Sequence, residues 1–458
     1  MGSVAIVGAG ISGLSAAWYL SRAGAAASLV ERQPRLGGVI STEQIDGCVV
    51  EGGPDSFLAA KPWAMDLIRE LGIEDEVIGS NDHQRVTYIL KRGRLVPLPD
   101  GLMMMVPTRV MPVVRSRLLT WPAKVRMGLE WFRRARPEAA DRSVAEFISE
   151  HYGREVVDYL AEPLLAGVYG GDPDRLSAAS VLPRFVEFER TYGSLTRGVL
   201  VEGGRTAGRL GGGSLFRTLR GGMGRLIETL ADRLRPSLPI RQADAEALER
   251  RGAGFRLRLA GDWMEASSVV LACPAYEAAR LLRPLDADLA TTLESIPYNS
   301  SMTVALGYDR ATLGHPLNGF GFLVPRRERR RLVACTWVNT KFAHRAPDSR
   351  ALLRCFLRGD EAQGESDESV VAGVIDELRI IMGVTALPVF TRVSRWPRSM
   401  AQYNVGHERR VEEIERRVGA IAGLHLAGNA LHGIGIPDCV RSGQQAAERI
   451  TASPLRVL

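Results

Sequence analysis

The chain has 458 residues, of which 45% are hydrophobic and 24% charged, a balance that excludes a disordered chain, a collagen-like repeat and a small disulfide scaffold and leaves room for about three domains. The net charge is +7, yet only four of the 59 basic residues are lysines (Lys61, Lys91, Lys124 and Lys341); most of this bias reads as GC-rich coding, while the excess suits anionic substrates or an anionic membrane. No run of 18 uncharged apolar residues occurs and an apolar strand begins near Ser3, so neither a spanning helix nor a signal peptide is expected.

Val4–Val7 reads as a buried parallel strand. Gly8-Ala9-Gly10-Ile11-Ser12-Gly13 follows, then a helix over Leu14–Leu20 and a second strand, Ala27–Val30, ending in Glu31. This is a βαβ unit of the dinucleotide-binding kind. Gly8 permits the tight turn, Gly10 admits the pyrophosphate to the backbone, and Gly13 lets helix and strand pack closely. The helix N-terminus offers free N–H groups and a positive dipole end to the phosphates. Glu31 can accept from ribose hydroxyls. A bare glycine turn would need none of this strand, helix and acid placement.

Arg32-Gln33-Pro34-Arg35-Leu36-Gly37-Gly38 comes next. It resembles the R-x-G-G extension of flavoproteins with two dinucleotide-binding domains, which bind FAD, and Arg32, Gly37 and Gly38 are assigned to the cofactor on that likeness. Glu51-Gly52-Gly53-Pro54-Asp55-Ser56-Phe57 resembles the E-x-G-P segment of the same superfamily and adds Gly53, Pro54, Asp55 and Ser56.

Residues 101–136 change character. Eight basic side chains and one acid, Glu130, alternate with Met103–Met105, Trp121, Leu129, Trp131 and Phe132. The pattern predicts a basic amphipathic helical segment, lying either on an anionic bilayer or against the body of the protein. Val201 to Ser214 holds six glycines and reads as a mobile loop. A helix over Leu226–Leu234 and strands over Phe255–Ala260 and Ser268–Pro274 follow, so the dinucleotide domain is discontinuous. Strands are expected at Met302–Gly307, Gly319–Val324, Leu332–Val338 and Leu352–Leu357, forming a second sheet. At the C-terminal end, His425–Ala430 is a short strand and turn, and Gly433–Cys439 opens a helix over Val440–Ile450. Gly428, Asn429, Ile434, Gly435 and Ile436 are placed near the flavin on this second glycine-rich helix start. Asp438 sits where an N-cap would. Cys439 reads either as a redox thiol near the flavin or as small packing. The five cysteines form no CxxC pair and the seven histidines no metal spacing, so no zinc site and no metal is expected.

Taken together, Gly8–Gly13 with Glu31 and Gly37-Gly38, Glu51–Phe57, Leu165-Ala166-Gly167-Val168-Tyr169-Gly170-Gly171-Asp172-Pro173 and Gly435–Val440 resemble the oxygen-dependent, FAD-containing protoporphyrinogen/coproporphyrinogen oxidases, which share the fold of the monoamine oxidases. The likeness spans essentially the whole chain. It implies an α/β fold with a discontinuous Rossmann-type FAD domain (1–83, 218–285, 405–458), a mixed-sheet substrate domain (84–100, 184–217, 286–404) and a helical, membrane-facing cap (101–183). The implied reaction is a six-electron oxidation of a porphyrinogen in haem synthesis, with FAD as hydride acceptor and O2 as final acceptor. No side chain is assigned a catalytic role beyond flavin N5. Substrate contacts carried over are Arg85 for a propionate, Gly167 and Gly170 lining the site, Phe356 on a pyrrole ring, Leu323 as an apolar wall and Thr336 where leucine is commoner. Trp396 is carried over as a flavin contact. The implied setting is the cytoplasm or the inner membrane face, as monomer or homodimer, with ferrochelatase or membrane-surface contact and no nucleic acid.

The residues leave protoporphyrinogen IX and coproporphyrinogen III open. Two rivals remain. One is an amine oxidase or carotenoid-type desaturase, although amine oxidases carry a lysine near flavin N5 on the strand where this chain has Thr303. The other is a non-catalytic flavin-binding, membrane-docking protein.

Overall fold

A computed structural model describes residues 3–135, 140–206, 214–362 and 364–452. Its first sheet has five parallel strands in the order Ile240–Gln242, Ala27–Glu31, Val4–Val7, Ser268–Leu271, Leu424–Leu426. The strands come from three distant stretches of chain, as the sequence predicts. Strands buried on both faces must be apolar throughout, and Val4–Val7 and Ser268–Leu271 are completely buried. Helices Ile11–Arg22 and Ile436–Ala452 cover one face with the Leu226–Leu234 turns. The other face carries helices Ala275–Leu282 and Ala287–Glu294 and an antiparallel three-stranded sheet, Ala245–Arg251, Gly254–Leu259 and Asp262–Ala266.

The second sheet has seven strands, ordered Phe390–Ala401, Tyr298–Asp309, Arg350–Arg358, Leu332–Trp337, Gly321–Leu323, Thr87–Lys91, Arg94–Pro97. All its pairings are antiparallel except Gly321–Leu323 with Thr87–Lys91. Phe322, Cys335, Trp337, Leu353, Cys355, Met302 and Val304 point to one face, where helix Asp367–Met382 packs. That helix is bounded by Ser366, whose hydroxyl accepts from Ser369 N–H, and by Gly383 in the left-handed region, the usual start and stop chemistry.

A helical layer closes over the opposite face of this sheet. The segment read as one amphipathic helix is broken into Val110–Arg115, Trp121–Leu129 and a 3-10 turn, Glu130–Phe132. Helices Pro183–Tyr192 and Leu195–Thr206 belong to the same packed cluster through Phe185, Phe188, Leu195 and Val199. The loop expected from Val201 is therefore helical as far as Thr206; residues 207–213 lie outside the described residues. No described helix is long and apolar enough to cross a membrane.

Candidate active site

The βαβ turn is built as its residues require. Gly10 is the extended N-cap of helix Ile11–Arg22, and no side chain caps it. The N–H groups of Ile11, Ser12 and Gly13 are thus left for an anion. A Cβ on Gly13 would lie 1.9 Å from the Gly8 carbonyl oxygen, so only glycine permits this helix–strand distance. Open space surrounds the Cα of Gly10 and of Gly428. Glu31 accepts from Ala9 N–H at 2.7 Å and from Gln33 N–H at 2.8 Å. Its carboxylate fixes the turn and retains lone pairs for a ribose. Gly37 N–H donates to the Ala9 carbonyl at 2.8 Å, which seats Gly37-Gly38 beside the turn.

Arg32 does not reach that seat. Its guanidinium is paired with Glu277 at 2.9 Å and is about half exposed. Arg35 does: it donates to the carbonyls of Leu36, Gly38 and Ile40 and lies 5.9 Å from the Trp396 ring. The signal was in the sequence, because the arginine of R-x-G-G is Arg35 in Arg35-Leu36-Gly37-Gly38.

Gly52-Gly53 lies between the Val39–Ser41 segment and the seven-stranded sheet. A Cβ on Gly53 would be 1.7 Å from the Val39 carbonyl oxygen. The Gly52 carbonyl accepts from Trp396 Nε1 at 2.8 Å and Thr303 Oγ1 at 2.9 Å. Glu51 is ion-paired with Arg345 at 3.0 Å, both buried. Pro54 leads to Asp55, which is paired with Lys341 at 3.0 Å and takes a hydrogen bond from Ser56 Oγ at 2.6 Å. Burial alone would raise the Asp55 carboxyl; Lys341 and Arg354 overcome it and hold it well below the carboxylate range. Asp55 and Ser56 thus belong to a buried charge cluster.

The C-terminal turn is tied down by Tyr403, which donates to the Asn429 carbonyl at 2.7 Å and accepts from Gly433 N–H at 2.7 Å. Ile434 and Gly435 lead into the helix at Ile436. Asp438 therefore lies within the first helical turn and not at the N-cap, and it is paired with Lys61 at 2.6 Å. Cys439 is buried, and burial pushes its thiol up to about 12, which favours packing over thiolate chemistry.

The strand register brings the substrate-wall residues together. Leu323, Ala334, Phe356, Thr303 and Ser394 are successive cross-strand neighbours in one row. The next row holds Gly321, Thr336, Arg354 and Ala305, and the row on the other side holds Arg358, Ser301 and Trp396. Cross-strand partners share a face, so Leu323, Thr336, Phe356 and Trp396 line one surface. These four are only half-buried, whereas Phe322, Cys335 and Cys355 on the opposite face are fully buried; a cleft opens over the first surface. Helix Glu162–Tyr169 lies against strands Gly321–Leu323 and Leu332–Trp337. Its Gly167 faces open space, and Gly170 ends it in the left-handed region with its carbonyl held by Asn299 Nδ2 at 2.8 Å. Arg85 is exposed, two residues before Thr87, which pairs with Gly321 at the rim, and it has no carboxylate partner among the described residues. No metal-binding cluster occurs among them either.

Over residues 11–451 the chain matches the flavin-containing amine oxidoreductases. It belongs to that family. The coproporphyrinogen III oxidase of Bacillus subtilis is 34% identical over 97% of this chain and 96% of its own length. That of Propionibacterium freudenreichii is 35% identical over 98% and 91% respectively. An Exiguobacterium crystal structure, provisionally named a protoporphyrinogen oxidase, superposes with a TM-score of 0.88 at 33% identity over 98% of both chains. The cofactor is FAD, and the residues present fit it: an uncapped helix N-terminus, open space at Gly10 and Gly428, and an acid at the end of the second strand. Strand Tyr298–Asp309 carries no lysine, and Lys61, Lys91, Lys124 and Lys341 are each held by carboxylates or carbonyls.

Proposed function

We propose that this chain oxidises coproporphyrinogen III to coproporphyrin III, with dioxygen as electron acceptor. The observation that carries the reading is the apolar row Leu323–Ala334–Phe356, half-buried at Leu323 and Phe356, facing the open Gly167 helix, a flat wall suited to a macrocycle and free of any lysine. FAD supplies the hydride acceptor. The chain's part is to hold the macrocycle edge-on against the sheet through Phe356, to leave room at Gly167, and to meet a carboxylate with Arg85, whose fork-shaped guanidinium matches that group. The two bacterial relatives carry this substrate in their names. The test is porphyrin fluorescence after anaerobically prepared coproporphyrinogen III and protoporphyrinogen IX are offered separately in air. Faster oxidation of coproporphyrinogen III is expected, with Arg85→Ala raising KM roughly tenfold and keeping full FAD, the loss of one charge-assisted bond. No acceleration over the enzyme-free control with either substrate would sink the reading.

A second proposal concerns location. Phe132 is 77% exposed, Val110 75%, Trp121 65% and Leu129 62%. Trp121, Val125 and Leu129 form one stripe at helical spacing, and Leu200 and Val201 line a hollow with Trp131. Arg109, Arg115 and Arg117 in the same segment have no carboxylate partner among the described residues. Large apolar side chains rimmed by unpaired arginines fit an anionic bilayer surface. Sedimentation with phosphatidylglycerol vesicles should bring the protein down, and Trp121→Ser with Phe132→Ser should leave it in the supernatant. Equal binding by both forms would refute the docking face.

A further inference from the structure

Among the buried charged groups, Arg354 lies nearest the cleft wall. Arg354 sits on strand Arg350–Arg358, third in the seven-stranded sheet, on the cleft side, one row from Phe356, and its guanidinium lies 4.7 Å from the Phe356 ring. It is 4% exposed. Its NH2 donates to the carbonyls of Gly53 and, at 3.4 Å, Gly52. Its Nε has no partner. The nearest carboxylate, Asp55, is 3.9 Å away and is already matched by Lys341 at 3.0 Å.

The charges around it do not cancel. Glu51 is matched by Arg345 and Asp55 by Lys341, so Arg354 is a surplus cation. A guanidinium stays protonated at any working pH. The void beside it, lined by Glu51, Asp55, Arg345 and Arg354 among others, measures about 10 Å³, room for one water at most. The charge is therefore poorly screened. It grips the Gly52-Gly53 peptide, the same one that Trp396 and Thr303 hold, at the junction between the dinucleotide turn and the cleft.

We propose that Arg354 is a positioning residue that sets the reduction potential of the bound FAD. Its hydrogen bonds fix the Gly52-Gly53 backbone against the cofactor, and its uncompensated charge favours the form of the cofactor that has gained electrons. A unit charge about 10 Å away at an effective dielectric of about 20 changes an equilibrium constant by about tenfold. This inference rests on family membership and not on the identity of the substrate.

The experiment is an anaerobic redox titration of the holoenzyme against a dye of known potential, with FAD stoichiometry read from the visible spectrum. Arg354→Gln should retain FAD and shift the flavin–dye equilibrium toward oxidised flavin by about tenfold. Arg354→Lys, which keeps the charge, should stay close to the parent. Asp55→Asn removes a negative charge from the same cluster and should shift the equilibrium the opposite way. The proposal is overturned if Arg354→Gln holds FAD at an unchanged potential, or if both neutralising variants shift in the same direction. Should Arg354→Gln lose its FAD, an unmoved potential in Asp55→Asn overturns the proposal equally.

Discussion

Gly13→Ala is expected to give a protein that folds but purifies almost colourless. The added Cβ would stand 1.9 Å from the Gly8 carbonyl oxygen, 3.1 Å from its carbon and 3.2 Å from Ala272 Cβ. Two of these three contacts are backbone, so nothing can rotate aside. The N-terminus of the Ile11–Arg22 helix must lift off the Val4–Val7 strand. Behind it there is no slack either, because Gly443 of the C-terminal helix abuts the Ser12 carbonyl, with a notional Cβ only 2.2 Å away. Overpacking of this kind costs about 1–3 kcal/mol or more. The cost falls on the conformation that aims the Ile11, Ser12 and Gly13 N–H groups at one anion, so FAD affinity should drop by about 10- to 100-fold. The absorbance ratio of flavin to protein after gel filtration, with and without added FAD, measures it. A variant as yellow as the parent would show that this helix end does not carry the pyrophosphate.

What could be read from the sequence was the part specified by short-range constraint. A strand, a glycine turn, a helix and an acid are local, and the five-stranded sheet forms around them as expected. Leu323, Thr336 and Phe356 came from the family resemblance alone; the register that sets them on one face joins three strands and is not written in any one of them. The pairings of long charged side chains were not legible. Arg32 and Arg35 both flank the glycine pair, and which of them turns inward depends on Glu277, nearly 250 residues away in the chain. Asp438 looked like a cap because its partner, Lys61, lies on a remote loop. The partners of Asp55 were not legible because Lys341, on helix Val338–Lys341, and Arg354, on strand Arg350–Arg358, lie nearly 300 residues further along the chain. Helices Pro183–Tyr192 and Leu195–Thr206 escaped because glycine and arginine at their end read as loop, whereas tertiary packing of Phe185, Phe188 and Val199 overrides local propensity.

The largest stability effect is expected at a residue with no role in the chemistry. Glu130→Gln should lower the free energy of unfolding by about 3–5 kcal/mol, the scale of disrupting a buried, hydrogen-bonded carboxylate from one side. Glu130 is fully buried and surrounded by donors. His151 Nδ1 lies at 2.9 Å, Ser194 Oγ at 2.8 Å, Leu195 N–H at 2.6 Å and Thr196 N–H at 3.3 Å, shared between its two oxygens. An amide accepts on one side only, so the NH2 group must face a donor. His151 Nε2 meets Glu189 at 3.1 Å, and Arg142 also pairs with Glu189. Burial alone would raise both carboxyls. Hydrogen bonds from His151, Thr196 and Ser194 overcome it and depress Glu130, and those from His151 and Arg142 bring Glu189 down to about 2. Folded values below the unfolded value of about 4.3 mean that this stabilisation is complete above that pH and is lost as pH falls toward 2. The parent's stability should therefore fall more steeply between about pH 5 and 3 than that of Glu130→Gln, as denaturant midpoints across that range would reveal. A loss under about 1 kcal/mol, the worth of a surface pair, would contradict the argument. Glu130 also joins the Trp131-Phe132 turn to the first residues of the helix bearing Leu200 and Val201, so loosening it should weaken vesicle binding without touching any exposed side chain.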